Sequence, residues 1–186
     1  ILVTQPTLQT ICEGSGASFS VGATGTGLLY QWKENGTDIV NGGLYSGATS
    51  PTLSLSSVPN AYDGRIYSVV ITGTCGNLTS ANALLTVNRI PNASATDQSI
   101  CSGQTTAVAI TNPNSVPLTT FTWTIQSTNN VTGASAGAGN TIAQTLSATD
   151  GINPGIVTYL IQPSAAGCVG AAHAVSVSVT PLPDLA

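Results

Sequence analysis

Thr120-Phe121-Thr122-Trp123-Thr124-Ile125 alternates threonine with an aromatic or aliphatic residue at every step. Successive side chains of an extended chain leave on opposite faces. The stretch therefore predicts a strand with Phe121, Trp123 and Ile125 turned inward and Thr120, Thr122 and Thr124 facing water. The same alternation runs through Ala17-Ser18-Phe19-Ser20-Val21, Ala83-Leu84-Leu85-Thr86-Val87 and Val175-Ser176-Val177-Ser178-Val179. Gly, Pro and Asn clusters break it roughly every eight to twelve residues, the pattern of antiparallel sheets with one wet face. No stretch carries a helical period, and the many β-branched residues argue against helix. The chain reads as all-β.

Outward from the tryptophan strand, the chain repeats itself. Ile11-Cys12-Glu13-Gly14 is echoed by Ile100-Cys101-Ser102-Gly103, and Leu29-Tyr30-Gln31-Trp32 by Phe121-Thr122-Trp123. A tyrosine strand follows in each half, Ile66-Tyr67-Ser68-Val69 and Val157-Thr158-Tyr159-Leu160-Ile161. Then comes a turn with cysteine, Gly73-Thr74-Cys75-Gly76 and Ala166-Gly167-Cys168-Val169-Gly170, before the last alternating strand. Shared landmarks in one order predict two related sandwich domains, residues 1–88 and 89–186, of about seven strands each. They meet around Asn88-Arg89-Ile90-Pro91-Asn92, and Thr180-Pro181-Leu182-Pro183-Asp184 reads as a further linker.

The composition is unusual. The 186 residues hold three Lys+Arg and seven Asp+Glu, a net charge of −4, with 5% of the chain charged. Soluble domains usually carry about 25%. Serine and threonine, about a quarter of the residues, do on the outer faces what Lys and Glu usually do. Three scattered cations, Lys33, Arg65 and Arg89, make no footprint for nucleic acid. No apolar run approaches the roughly 18 residues of a membrane span. The opening Ile1-Leu2-Val3-Thr4-Gln5-Pro6 lacks the features of a signal peptide, so a mature protein or a piece of a longer one is expected. Four cysteines in so uncharged a chain point to an oxidising, extracellular setting.

Catalytic chemistry finds little to work with. His173 is the single histidine, and it falls on the last strand, where a solvated side chain is expected; Ser164 and Asp150 signal no partnership with it. The carboxylates Glu13, Glu34, Asp38, Asp63, Asp97, Asp150 and Asp184 are scattered over turns and linkers rather than paired across a cleft. Asp63 or Asp97 with backbone carbonyls could offer oxygen ligands to calcium, but the acids are too sparse to expect it. We therefore expect no enzyme, no cofactor and no metal. Sugar platforms need exposed aromatic faces. Trp32 and Trp123 belong to core positions, which leaves Tyr45 and Tyr62, placed in loops, as candidate ligand contacts.

Leu53-Ser54-Leu55-Ser56-Ser57-Val58, followed by Asp63-Gly64-Arg65-Ile66-Tyr67-Ser68-Val69, resembles an immunoglobulin-like domain. That resemblance makes Trp32 the core tryptophan and Tyr67 the corner tyrosine. It places Val21 and Val69 where the family has its core cysteines, so the central bridge is missing. Gly64 stands three residues before Tyr67, one more than the usual corner. The second half, with Trp123 and Tyr159 as its core landmarks, resembles a PKD-like module. Together the two halves resemble tandem modules of large secreted surface proteins of Bacteroidetes, such as gliding-motility adhesins. The resemblance implies non-catalytic spacer or adhesion modules in an extracellular, repetitive protein. Their partners would be neighbouring modules of the same polypeptide and, beyond those, surfaces or polysaccharides. Its alternative is a carbohydrate-binding appendage of a secreted hydrolase.

Two cysteine pairings fit. One bridge per domain, Cys12–Cys75 and Cys101–Cys168, would each stabilise its domain by about 4 kcal/mol through chain entropy. In a sandwich, however, Cys12 and Cys75 fall toward opposite poles, roughly 30 Å apart at about 3.3 Å per residue. A disulfide spans only about 4.4–6.8 Å between Cα atoms. The other arrangement joins the domains through Cys12–Cys168 and leaves Cys75 and Cys101 for the modules before and after.

Overall fold

The computed structural model describes residues 2–183. The chain divides into two compact units, Ile1–Arg89 and Ile90–Ala186. Both are built from strands, and among the described residues there is no α-helix; a single 3-10 turn, Asn60–Tyr62, follows Pro59.

In the first unit the larger sheet runs in the order Gln9–Cys12, Ala83–Asn88, Ile66–Gly73, Leu29–Glu34 and Thr37–Asp38. Gly76–Thr79 folds back on Ile66–Gly73 as a hairpin. Gln9–Cys12 runs parallel to Ala83–Asn88, with Cys12 opposite Asn88. A second sheet orders Ala17–Ser20, Thr52–Leu55 and Tyr45–Ser46. Phe19, Leu53 and Leu55 from this sheet share one apolar cluster with Trp32, Tyr67, Val69, Ile71 and Leu85 from the larger one. Trp32 and Val69 are fully buried and Val21 nearly so. The Phe19 ring stacks on Tyr67 at 4.7 Å and tilts toward Trp32 at 6.4 Å. Each large side chain removed from water this way contributes about 1.5–3 kcal/mol.

The second unit repeats the order with Gln98–Cys101, His173–Thr180, Gly155–Ala165, Thr120–Asn129 and Gly137–Ala138, and Cys168–Val169 folds back on Gly155–Ala165. Cys101 lies opposite Thr180 in the parallel pair. Val108, Ile110, Ile142 and Leu146 cover Phe121, Trp123, Val157, Tyr159, Ile161 and the valines 175, 177 and 179.

The strands are more numerous and shorter than the seven per domain read from the sequence. The covering layer of the second unit consists of two-residue ladders, Val108–Ala109 on Thr141–Ile142 and Val131–Thr132 on Ser147–Ala148. Beside the first ladder the buried Thr106 hydroxyl donates to the Ile142 carbonyl and accepts from the Gln144 N–H. A side chain thus satisfies buried backbone groups that a longer ladder would otherwise pair.

One inward assignment is corrected. Phe121 and Trp123 are buried and Thr120, Thr122 and Thr124 are exposed, but Ile125 is 38% exposed. The pairing of Thr120–Asn129 with Gly155–Ala165 shifts register between Ile125 and Ser127, so the strict alternation ends at that irregularity.

Both tryptophans satisfy their polar edge identically in kind. Trp32 Nε1 donates to the Ser50 carbonyl at 2.9 Å, and Trp123 Nε1 to the Ser135 carbonyl at 3.2 Å. A buried indole N–H without an acceptor would be destabilising. The outer faces are tied by hydroxyl pairs across strands: Ser20 with Thr52, Ser99 with Ser178, Thr120 with Ser164, and Thr158 with Ser176. Residues 90–186 contain no Lys or Arg at all. The ion pairs among the described residues, Lys33–Asp38 and Arg65–Glu34, both belong to the first unit.

Candidate functional site

The cysteines occupy two kinds of position, each present once per unit. Cys12 and Cys101 close the parallel opening strand, where the last strand leaves the unit. The backbone bonds that follow them match. The next N–H donates to the paired carbonyl (Glu13 to Asn88 at 2.9 Å, Ser102 to Thr180 at 2.8 Å), and Gly14 and Gly103 then donate to Val58 and Leu146. Those glycines hold φ near +80° (80° and 84°), a region most side chains avoid. Cys75 and Cys168 instead lie at the tip of the hairpin before the last strand, one residue out of step: Cys75 within the turn, Cys168 opening the return strand. Cys12 and Cys168 are disulfide-bonded. Cys75 and Cys101 are free, exposed thiols, so neither Cys12–Cys75 nor Cys101–Cys168 forms.

The candidate ligand contacts, Tyr45 and Tyr62, are placed differently from the loop positions expected. Tyr45 lies on the strand Tyr45–Ser46 and Tyr62 ends the 3-10 turn, so neither is in an open loop, and both pack against the core. Together they belong to a network that the sequence reading missed, centred on Glu34. Its Oε1 accepts the hydroxyls of Tyr45 (2.6 Å) and Tyr67 (2.8 Å), and its Oε2 accepts the Arg65 guanidinium at 2.8 Å. Arg65 covers the Tyr62 ring at 3.5 Å, and the Tyr45 and Tyr62 rings tilt together at 6.3 Å. Tyr67 therefore bonds a side chain on the neighbouring strand, whereas the corner tyrosine of immunoglobulin-like domains bonds the backbone a few residues upstream. The corner is secured otherwise, by Asp63 accepting the Val87 N–H and Gly64 donating to the Leu85 carbonyl.

Burial alone would raise the Glu34 pKa, but hydrogen bonds from Arg65, Tyr45 and Tyr67 outweigh it and hold the carboxyl below its ordinary 4.5. Burial and the bond to Glu34 raise both tyrosines. A depressed carboxylate lends stability that is complete above the unfolded pKa and disappears as pH falls through the lower folded value. The second unit has no such dependence at its equivalent tyrosine, because Tyr159 donates to the neutral Gln144 at 2.8 Å. Acidification from pH 5 downward should thus lower the first unit's melting point ahead of the second's, read by circular dichroism. Glu34→Gln should weaken the first unit by about 2 kcal/mol at neutral pH and flatten that acid dependence.

The remaining candidates are separated and individually engaged. His173 Nε2 lies 3.1 Å from the Ala95 carbonyl, Ser164 pairs with Thr120, and Asp150 bonds Ile152 and Asn153 within its own loop. Asp97 accepts the Ser176 N–H, as Asp63 accepts that of Val87. Among the described residues no three His, Cys, Asp or Glu side chains gather as metal ligands, and no helix is long and apolar enough to cross a membrane. Asp184 lies outside the described residues.

With these geometries in hand the similarities are clear. Residues 98–183 match the PKD-like domain family. The PKD-like match starts on Gln98–Cys101 and runs past the last strand, covering the second sandwich. Across both units the fold is that of tandem immunoglobulin-like structures. The crystal structure of Rst D1-D2 superposes with a TM-score of 0.56 at 14% identity, covering 98% of this chain and 99% of that one. The Sidekick-1 immunoglobulin domains 1-5 give a TM-score of 0.52 at 19% identity, over 97% of this chain and 38% of that one. At such identities the likeness is one of fold. No curated protein matches the chain in sequence.

Proposed function

We propose that this chain is a non-catalytic spacer and adhesion segment of a repetitive extracellular protein, in which a disulfide between Cys12 and Cys168 stiffens the succession of modules. The cysteine states carry this reading: of four cysteines, the two that are oxidised belong to different units, and the two that would complete a bridge within each unit are thiols. Linkers of a few residues ordinarily let adjacent modules swing. A covalent tie between them restricts bending, so that the modules project a distal site outward. An oxidised pair also fits a secreted or cell-surface setting. The hydroxyl-faced sheets would meet a surface with little charge to desolvate. The sequence likeness to Bacteroidetes surface modules points to a bacterial envelope, gliding adhesins being one home for them.

Proteolysis without reduction should yield a Cys12–Cys168 peptide; a Cys12–Cys75 peptide would end this reading. Beads coated with the chain should adhere to glass or polysaccharide more than bare beads do, and a pure spacer would leave them unchanged. The sugar-binding alternative rests on the partly exposed Tyr45 and Tyr62. One face of Tyr62 is already taken by Arg65 and the Tyr45 hydroxyl by Glu34, which leaves little platform. Glycan-array binding that Tyr62→Ala abolishes would nevertheless favour it.

A further inference from the structure

The two free thiols are not leftovers of one kind. Cys101 is of the opening-strand type, the same type as the oxidised Cys12, with the same parallel partner strand and the same following glycine bonds. Cys75 is of the hairpin type, like the oxidised Cys168. The oxidised Cys168 is 1% exposed, whereas Cys75 stands open to solvent. Cys75 lines a cleft of about 370 Å³ together with Leu28, Ile71, Leu78, Gly73 and Gly76. Within the first unit the opening-strand and hairpin positions sit at opposite ends of the larger sheet, too far apart for an internal bond.

We infer that Cys101 and Cys75 are the two halves of a second joint of the Cys12–Cys168 type, closed between copies: Cys101 of one chain bonds Cys75 of the next, whose cleft receives the incoming opening strand. The inference rests on the Cys12–Cys168 reading above. Because the two halves differ, the contact is head-to-tail and need not close, so it builds a linear array. Each joint forms one S–S bond as two thiols lose two protons and two electrons. A small-molecule disulfide such as oxidised glutathione accepts them by exchange through a mixed disulfide, leaving as two thiols.

The test uses two variants of the 186-residue chain, Cys75→Ser and Cys101→Ser, mixed in equal amounts in a glutathione redox buffer with isotope labelling of one. The Cys75–Cys101 heterodimer should exceed either homodimer by about tenfold or more, against about twofold for random pairing of exposed thiols. Leu78→Asp in the cleft should slow the heterodimer and leave the Cys101 homodimer untouched. Random proportions, or indifference to Leu78→Asp, overturn the inference while the spacer reading stands. Absence of the Cys12–Cys168 peptide from the same digests brings both down.

Discussion

Trp32→Ala is expected to unfold the first unit at temperatures where the second remains folded. Trp32 is completely buried, and its indole sits against Phe19 in a cluster drawn from both sheets. Removing so large a side chain costs about 3–5 kcal/mol in lost burial and residual cavity. The Ser50 carbonyl also loses its donor, a further penalty of about 1–3 kcal/mol if water does not reach it. A domain of this size has only about 5–15 kcal/mol of stability in total. The second unit's apolar cluster contains no residue of the first, so its own transition should persist. The chain holds two tryptophans, one per unit, so the variant's remaining tryptophan fluorescence, excited selectively over tyrosine, reports the second unit alone, while circular dichroism reports both. Loss of both transitions together would show that the two interiors do not stand independently. Trp32→Phe, which keeps most of the volume, should cost less and separates packing from the hydrogen bond.

The second large effect comes from two glycines that no sequence pattern marks. Gly47 has φ +79° and Gly133 has φ +92°. A Cβ on Gly47 would meet the Thr52 carbonyl oxygen at 2.1 Å, and one on Gly133 the Thr145 oxygen at 2.2 Å. Both obstacles are backbone at or beside a strand start, so neither can swing aside as a side chain would. Left-handed backbone costs an alanine about 1–2 kcal/mol, and the enforced strand movement about 1–3 kcal/mol more. Gly64 supplies the control: its φ is also +79°, and a methyl group there would have nothing within 4 Å. In urea denaturation Gly47→Ala should therefore lose at least about 2 kcal/mol more than Gly64→Ala. Equal losses would mean that the strand following Gly47 gives way freely.

Much of the architecture is readable from period-two alternation, because that signal is local: each strand announces its own buried face. Val21, Trp32, Tyr67, Val69, Trp123 and Tyr159 are all buried, and the larger sheets of the two units share one strand order. The failures have one source. Ile125 continues the alternation on paper, yet a shift in the pairing with Gly155–Ala165 follows it, and register belongs to two strands at once. Glu34 looks in the sequence like one more scattered acid, since its partners Arg65 and Tyr67 lie 31 and 33 residues away, and only strand pairing brings them together. Tyr45 reads as loop because its flanking glycines hide a two-residue strand. The cysteines divide the same way. Their two positional types are visible as a repeat, and strand length alone already sets Cys12 and Cys75 at opposite poles; what stays open until the fold is seen is which bridge closes.

The hydroxyl pairs across the outer strands have an environmental corollary. Dissolved salt weakens attraction between exposed ions over a Debye length of about 8 Å at physiological strength, and neutral O–H contacts offer it nothing to weaken. A sheet surface laced by Ser99–Ser178, Thr120–Ser164 and Thr158–Ser176, in a unit devoid of cations, should hold alike in pond water and in brine.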